Sequence, residues 1–477
     1  MSSALRDHRW IALIVLCLGS LMIVLDTTIV NVALPSIRDD LGFSESTLAW
    51  VVNAYMLTFG GFLLLGGRLG DLFGHRKLFL MGLGLFTLAS LACGLASTQE
   101  LLIVARAFQG FGGAIVAAVA LSLVMNLFTE PTERAKAMGV YGFVNSGGGT
   151  LGVLLGGILT NSFSWNWIFL VNVPLGILVF VLGLKLLPLH KESGAPRHLD
   201  AAGAVTITSA MLLAVYAIVN GNQVGWGSAQ TWLELGGALV LLLIFIAIEL
   251  KVKKPLMPLG LFKLRNMTIA NAMAMLWAAS MFSWFFLSAL YLQLVLGYSP
   301  LFVGLAFLPC NIIMAILSLG VSAKLVIRFG IRPTLMVGLA LITAGLGFFV
   351  LAPMEGTFVM NVMPSMILFG LGGGIAFNPL LLAAMNDVKQ EDSGLASGMI
   401  NTSFMMGGAL GLAILASLAS SRSASLLASG AEEMVALLGG YHAAFFAGTL
   451  FSGLALLLAT LLKIKKPTKE PSAAVHF

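Results

Sequence analysis

The chain has 477 residues, 59% of them hydrophobic and only 10% charged, with a mean hydropathy of +0.99. A soluble globule of this size needs far more polar surface, so the composition excludes a soluble protein and defines an integral membrane protein. The formal net charge of +6 is spread over short loops with no soluble domain beside it, which argues against nucleic-acid binding and makes the charge a record of topology.

A membrane-spanning helix needs about 20 mainly apolar residues, and fourteen such segments are predicted in chain order. They run over Trp10 to Ala33, Leu48 to Gly67, Leu78 to Ala96, Leu101 to Phe128, Ala137 to Thr160, Trp167 to Leu187, Ala201 to Gly221 and Thr231 to Leu250. The remaining six cover Met267 to Leu294, Leu301 to Ala323, Thr334 to Ala352, Val359 to Met385, Gly394 to Ala419 and Tyr441 to Leu462. The first is too long for a signal peptide, carries Asp26 and is followed by many similar runs, so it is read as a retained span. Cys17, Cys93 and Cys310 each sit alone in an apolar run, without metal-site or disulfide spacing, and are read as packing residues.

Basic residues fall after the even-numbered segments: Arg68, Arg76 and Lys77, Arg134 and Lys136, Lys191 and Arg197, Lys251 to Arg265, Lys324 to Arg332, Lys389, and the tail from Lys463. The opposite loops carry only Arg38 and Arg422. The positive-inside rule therefore predicts that both termini are cytoplasmic in a multi-pass protein of the cytoplasmic membrane.

The chain repeats itself. GGTLG at Gly148 to Gly152 returns as GGALG at Gly407 to Gly411, GFGG at Gly110 to Gly113 as GLGG at Gly370 to Gly373, and FGHR at Phe73 to Arg76 as FGIR at Phe329 to Arg332. Three ordered matches at nearly constant offset predict a duplicated six-helix bundle. The expected division is an N-terminal bundle over residues 1–188, a linker with two inserted helices over 189–263, a C-terminal bundle over 264–465 and a cytoplasmic tail over 466–477. Parallel repeats related by an axis along the membrane normal place a binding site at the midplane between the halves and imply alternating access.

Asp26 and Arg106 stand out as the ionisable residues well inside apolar runs, and charge at that depth marks a functional interior or water path. Asp26 lies about 17 residues into a span entering from one side, and Arg106 about six residues into one entering from the other. At 1.5 Å rise per residue the two reach comparable depth, and they become neighbours if the first and fourth helices pack together. Burial favours the neutral acid and a nearby guanidinium the carboxylate, so a change in their separation binds or releases a proton. The competing reading is a static buried ion pair, which adds little net stability over an apolar replacement. No histidine lies deep in a span, which leaves Asp26 as the leading proton carrier.

Four stretches carry a family resemblance: LDTTIVNVALP at Leu25 to Pro35, GRLGDLFGHRK at Gly67 to Lys77, RAFQGFGGA at Arg106 to Ala114, and WNWIFLVNVPLG at Trp165 to Gly176. In this order and spacing the chain resembles the major facilitator superfamily, and within it the fourteen-helix drug:proton antiporter branch, over essentially its whole length. The resemblance implies an all-α membrane fold of two six-helix bundles plus two inserted helices, with Asp26 and Arg106 serving proton coupling and substrate response.

The same resemblance makes Gly67, Asp71, Gly74, Arg76 and Lys77 a cytoplasmic gate, in which Asp71 caps a helix N-terminus across the bundle. Leu72 and His75 depart from it, standing where the family usually has basic residues; the alternative is a basic loop that only anchors topology. GGGTLGVLLGG at Gly147 to Gly157 resembles the antiporter motif, with Gly148, Gly152, Gly156 and Gly157 as packing residues. Val153 replaces the proline that normally follows the central glycine, and glycine packing alone also accounts for the segment.

Asn31, Asn53, Tyr55, Gln109, Asn311 and Asn378 are candidate cavity residues because amides and hydroxyls seek partners away from lipid, though some will simply bond neighbouring helices. The ninth segment is rich in aromatic residues, Trp284 among them; these either line an adaptable apolar cavity or face lipid.

The expectation is proton-coupled efflux of lipophilic small molecules, cations foremost, by alternating access. The partners are then lipophilic substrates and membrane lipids, the protein works as a monomer, and it needs no cofactor beyond the proton as coupling ion. Export of one metabolite or lipid, uncoupled transport, and a non-transporting sensor or scaffold are the alternatives. No nucleotide motif, metal cluster or nucleophile constellation points to an enzyme.

Overall fold

The computed structural model describes residues 3–128, 130–187, 200–252, 255–388 and 393–464. Within them every regular element is a helix. The first eight crossings are α1 (Ser3–Leu41), α2 (Trp50–Phe73), α3 (His75–Gly94), α4 (Gln99–Leu127), α5 (Pro131–Ser162), α6 (Asn172–Leu186), α7 (Ala201–Val224) and α8 (Ala229–Lys251). After α9 (Arg265–Leu290), the tenth crossing, α10, comes in pieces: Pro300–Ala306, Leu308–Ile316, a π turn over Leu317–Val321, and Ser322–Phe329. Then follow α11 (Ile331–Val350), α12 (Met363–Met385), α13 (Ser393–Ala428) and α14 (Glu433–Ala459). Among the described residues thirteen helical spans, the sixth running over Trp167–Leu186, are long and apolar enough to cross a membrane, and Pro300–Ile316 supplies a shorter apolar helix.

Local chemistry sets the ends. Thr98, Glu130, Asp200, Ser228 and Ser299 cap α4, α5, α7, α8 and α10 by accepting a backbone N–H from the first turn with their side chains. The expected span from Leu301 to Ala323 falls within α10, which is broken into pieces: the first stops at Phe307 and the next begins with Pro309 in its first turn, a residue with no N–H to continue a helix.

The repeated motifs make repeated contacts. α5 lies on α1 through Gly152, where an added Cβ would stand 2.1 Å from Thr28 Oγ1, and α13 lies on α9 through Gly411, where it would stand 2.1 Å from Ala279 Cβ. Gly110 meets Tyr55 O of α2 in the same way (2.3 Å) as Gly370 meets Cys310 O of α10 (2.6 Å).

Between the two sets, α2 packs on α13 and α5 on α10. α7 rests on both α2 and α13, and α8 packs on α7. On this side Asn222 Nδ2 donates to Ser417 O at 2.7 Å and Ser417 Oγ donates to Ile218 O at 3.1 Å.

The helix order puts the start of α1, the α2–α3 turn and the end of α14 on one face, called terminal below, and the α1–α2 connection on the opposite, distal face. Among described residues the terminal face gathers Arg76, Lys77, Arg134, Lys136, Lys185, Lys251, Lys263, Arg265, Lys324, Arg328, Arg332 and Lys463, against Arg38 and Arg422 on the distal face. Residues 188–199, Lys253, Lys254, Lys389 and the tail from Lys465 lie outside the described residues, as does the side chain of Arg68.

Candidate functional site

α1 and α4 meet, and Asp26 and Arg106 form an ion pair with side chains 0% and 1% exposed. Arg106 Nη1 donates to Asp26 Oδ2 and, at 2.6 Å, to Gln109 Oε1; its Nε donates to Val51 O at 2.8 Å. Gln109, one turn further along the same face of α4, donates Nε2 to Asp26 Oδ1 at 2.6 Å and to Ser90 Oγ at 2.8 Å. Asn172 Nδ2 adds a third donor to the carboxylate at 3.3 Å. The guanidinium carbon lies 4.4 Å from the centre of the Tyr55 ring and 5.5 Å from that of Phe169.

Five helices, α1, α2, α3, α4 and α6, thus supply a network inside the first six crossings. In this arrangement the carboxylate is fully compensated by charge-assisted bonds. A proton on Asp26 removes half of the pair and leaves Arg106 as a buried cation with neutral partners, so protonation and the closed packing of these helices are linked.

Other predicted residues fall in different places. Asn31 Nδ2 turns back to Thr27 O and Thr28 O, both at 3.4 Å, and Asn378 Nδ2 bonds Ser318 O at 2.9 Å, tying α12 to α10. Both amide atoms of Asn53, Tyr55 Oη and Asn311 Nδ2 are buried without a hydrogen-bond partner, the condition that calls for water or ligand. Trp284 faces neither lipid nor an open wall: it is fully buried, stacked on Phe369 at 4.1 Å and ringed by Phe285, Phe307 and Phe349. A second aromatic group, Trp277, Phe282, Phe377 and Phe404, reaches the seam with α2, where Phe282 and Met56 meet over Gly408.

At the expected gate, Gly74 turns the chain from α2 into α3 at φ 89°. Arg76 Nη2 donates to Leu184 O in the last turn of α6, and Lys77 is exposed beside a groove lined by Leu69, Phe73 and Met81. A Cβ on Gly67 would meet nothing within 4 Å. The side chain of Asp71, and with it the expected helix cap, lies outside the described ones. In the glycine-rich segment, Gly148, Gly152 and Gly156 face α1, whereas Gly157 turns to α10, where an added Cβ would stand 2.8 Å from Pro300 O.

Several participants were missed by the sequence reading. Cys93, read as packing, sits 3.7 Å from Gln109 Oε1 through its sulfur, and Ser90, Asn172 and the Val51 carbonyl complete the network. Asn172 lies within the quoted LVNVPLG stretch, and a lone amide in an apolar run was the available signal. Burial of ionisable side chains also occurs at the ends of spans. Asp200 and Glu249 are 6% and 4% exposed at the junction of α7, α8 and the chain leading to α9. Asp200 accepts from Gly203 N at 2.7 Å and Leu256 N at 3.3 Å, Glu249 from Met257 N at 2.9 Å, and Glu249 Oε1 is left without a partner.

Two helix sets carrying the same glycine contacts, with a buried charge network inside the first, define a polytopic helical carrier of the membrane. The chain belongs to the Major Facilitator Superfamily, whose family model matches residues 16–412. It is 37% identical over 459 residues to the puromycin resistance protein pur8 of Streptomyces alboniger, covering 95% of this chain and 90% of that one. It is 36% identical over 469 residues to the cephamycin export protein CmcT of Amycolatopsis lactamdurans, covering 98% and 94%. Among solved structures, a bacterial homolog of the human lysosomal transporter Spinster, inward-facing and unoccupied, superposes with a TM-score of 0.66 at 16% identity over 97% of this chain and 98% of that one.

Proposed function

We propose that this protein exports lipophilic small molecules, cations foremost, across the cytoplasmic membrane in exchange for protons. It acts as a monomer by alternating access, with both termini in the cytoplasm and no cofactor. The observation that carries the coupling is the Asp26–Arg106 pair: a carboxylate sealed among five helices and bound by three side chains, whose protonation must disturb their packing. Substrate arriving in the path between the halves favours the unprotonated, paired state; reprotonation of Asp26 from outside releases the pair and resets the carrier. The names of the two relatives, one for resistance and one for export, support the outward direction. The concentration of basic side chains on the terminal face supports the orientation.

The test uses purified protein in liposomes under an imposed pH gradient, with a panel of organic cations, anions and neutral lipophiles. Gradient-driven uptake into inverted vesicles is expected, and Asp26→Asn is expected to insert normally yet lose it. Undiminished pH-driven transport by that variant overturns the assignment of Asp26.

A second reading is export of a single compound. It is favoured by the names of the two relatives above, which refer to puromycin and to cephamycin. Transport confined to one member of the panel would select it.

A further inference from the structure

The repeat gives the molecule an internal control. FGHR at Phe73 to Arg76 and FGIR at Phe329 to Arg332 fold alike: Gly74 and Gly330 both take positive φ, 89° and 92°, and each leads into a helix of 20 residues. α3 packs on α6 and α11 on α14. In the first copy Arg76 closes the end of this pair by donating to Leu184 O. In the second copy that closure is missing. Carbonyls of the chain just past α14 are taken instead by Arg265 Nε, which bonds Leu461 O at 3.2 Å, and by Asn266 Nδ2, which bonds Lys463 O at 2.8 Å. Arg332 is exposed and has no hydrogen-bond or ion-pair partner among the described residues.

The second copy holds a cavity of about 780 Å³ between the α10–α11 turn and the chain after α14. Arg332 and Lys463 supply its cations, and Ile327, Ile331, Leu462 and Ile464 supply apolar walls. None of the described lining residues is acidic, and Asp387, next to the lining Asn386, is engaged by Asn266 Nδ2 at 2.8 Å. Ile327 is 86% exposed. The cavity opens at the end of the spans, on the face where basic residues gather.

We propose that this cavity binds one anionic phospholipid, its phosphate between Arg332 and Lys463 and its acyl chains along Ile327 and Ile331. A free anion has no use for four aliphatic walls, and a zwitterionic lipid brings its own cation against two that have no ion-pair partner among the described residues. The lipid does for the second copy what the Arg76 to Leu184 bond does for the first: it fastens the start of α11 to the end of α14. This assignment concerns binding alone and stands whatever the carrier transports.

The full-length protein in detergent micelles is titrated with phosphatidylglycerol or phosphatidylcholine of identical acyl chains, and bound lipid is counted by native mass spectrometry. Two cations beside an anionic headgroup predict a preference for phosphatidylglycerol of roughly thirtyfold. The double variant Arg332→Gln/Lys463→Gln is expected to lose that preference while binding phosphatidylcholine as before. Arg422→Gln, on the distal face, should keep it. Melting temperature in lipid-free micelles checks the fold of each variant, and the two single variants carry the comparison if the double one unfolds. Equal retention of both lipids by the unaltered chain, or an undiminished preference in the Gln variants, overturns the proposal. So does displacement of phosphatidylglycerol by millimolar inorganic phosphate, which would mark a site for free anions.

Discussion

Gln109 holds both members of the buried pair at once, accepting from Arg106 Nη1 at 2.6 Å while donating to Asp26 Oδ1 at the same distance. The amide therefore fixes the separation of the two charges from the side, and Ser90 Oγ, 2.8 Å from its nitrogen, fixes the amide. Gln109→Leu keeps the volume roughly and removes the bridge, leaving Asp26 Oδ1 with Asn172 as its remaining side-chain donor. The loss of a bond to a charged group predicts destabilisation of about 1.5–3 kcal/mol. Beyond stability, the pH at which transport is half-maximal should move, because the charge separation is no longer fixed. A variant that melts early but keeps the original pH profile would reduce Gln109 to a packing role.

Arg106→Ala leaves a buried carboxylate opposite an emptied site, and truncation of one partner of a buried pair costs about 3–5 kcal/mol. Adding Asp26→Asn removes the charge that made the first change so costly. The double variant is therefore expected to melt above Arg106→Ala alone, with a coupling of roughly 0.5–3 kcal/mol between the two positions. Thermal melts of the four proteins in detergent measure this directly. Strict additivity of the two single effects would mean that the residues do not sense each other.

The fold was legible because bilayer thickness forces apolar runs of nearly fixed length, and because glycines at helix crossings leave a pattern that survives duplication. The pairing of Asp26 with Arg106 followed from rise per residue and a parity count of spans. Rotation about each helix axis was not legible. Nothing in the sequence tells Gln109, which reaches the pair, from Asn31, which turns back on Thr27 and Thr28. Trp284 presents the same difficulty: whether an aromatic ring meets lipid, a cavity or other rings depends on which side of α9 it occupies. Glu249 was passed over because it stands two residues from the end of α8, where a carboxylate ordinarily reaches water. The packing of α7 and of residues 256–257 buries it.

Two glycines in one stretch of α5 separate close packing from mere glycine richness. A Cβ at Gly152 would lie 2.1 Å from Thr28 Oγ1 and 2.8 Å from the Leu25 carbonyl, whereas at Gly147 nothing stands within 4 Å. Gly152→Ala is expected to push α5 off α1 and to destabilise by about 1–3 kcal/mol, the usual range for overpacking. Gly147→Ala should be neutral or stabilising, since alanine is the better helix former by roughly 1 kcal/mol. Thr28→Ala in the Gly152→Ala background relieves the side-chain clash and leaves the Leu25 carbonyl, so only partial recovery is expected. Equal melting temperatures for the two alanine variants would show that α5 and α1 are not held at this distance.

Glu249 and Asp200 face each other with no cation paired to them among the described residues. An ideal Cβ on Gly203 would stand 2.7 Å from Glu249 Oε1 and 2.6 Å from Asp200 Oδ2, so two acceptor oxygens converge on one small volume. Glu249→Gln supplies the missing donor: its amide nitrogen can reach Asp200 while its oxygen keeps the bond from Met257 N, now 2.9 Å long. The expected result is a higher melting temperature, by the equivalent of about 1 kcal/mol for a net hydrogen bond. Glu249→Leu removes the acceptor as well and strands the Met257 amide, a loss of about 1–3 kcal/mol. The order Gln above Glu above Leu is the signature of two acceptors short of a donor. If Gln instead melts below the unaltered chain, Glu249 and Asp200 are already joined by a hydrogen, and the acid itself fastens the inserted helices to the segment that leads into α9.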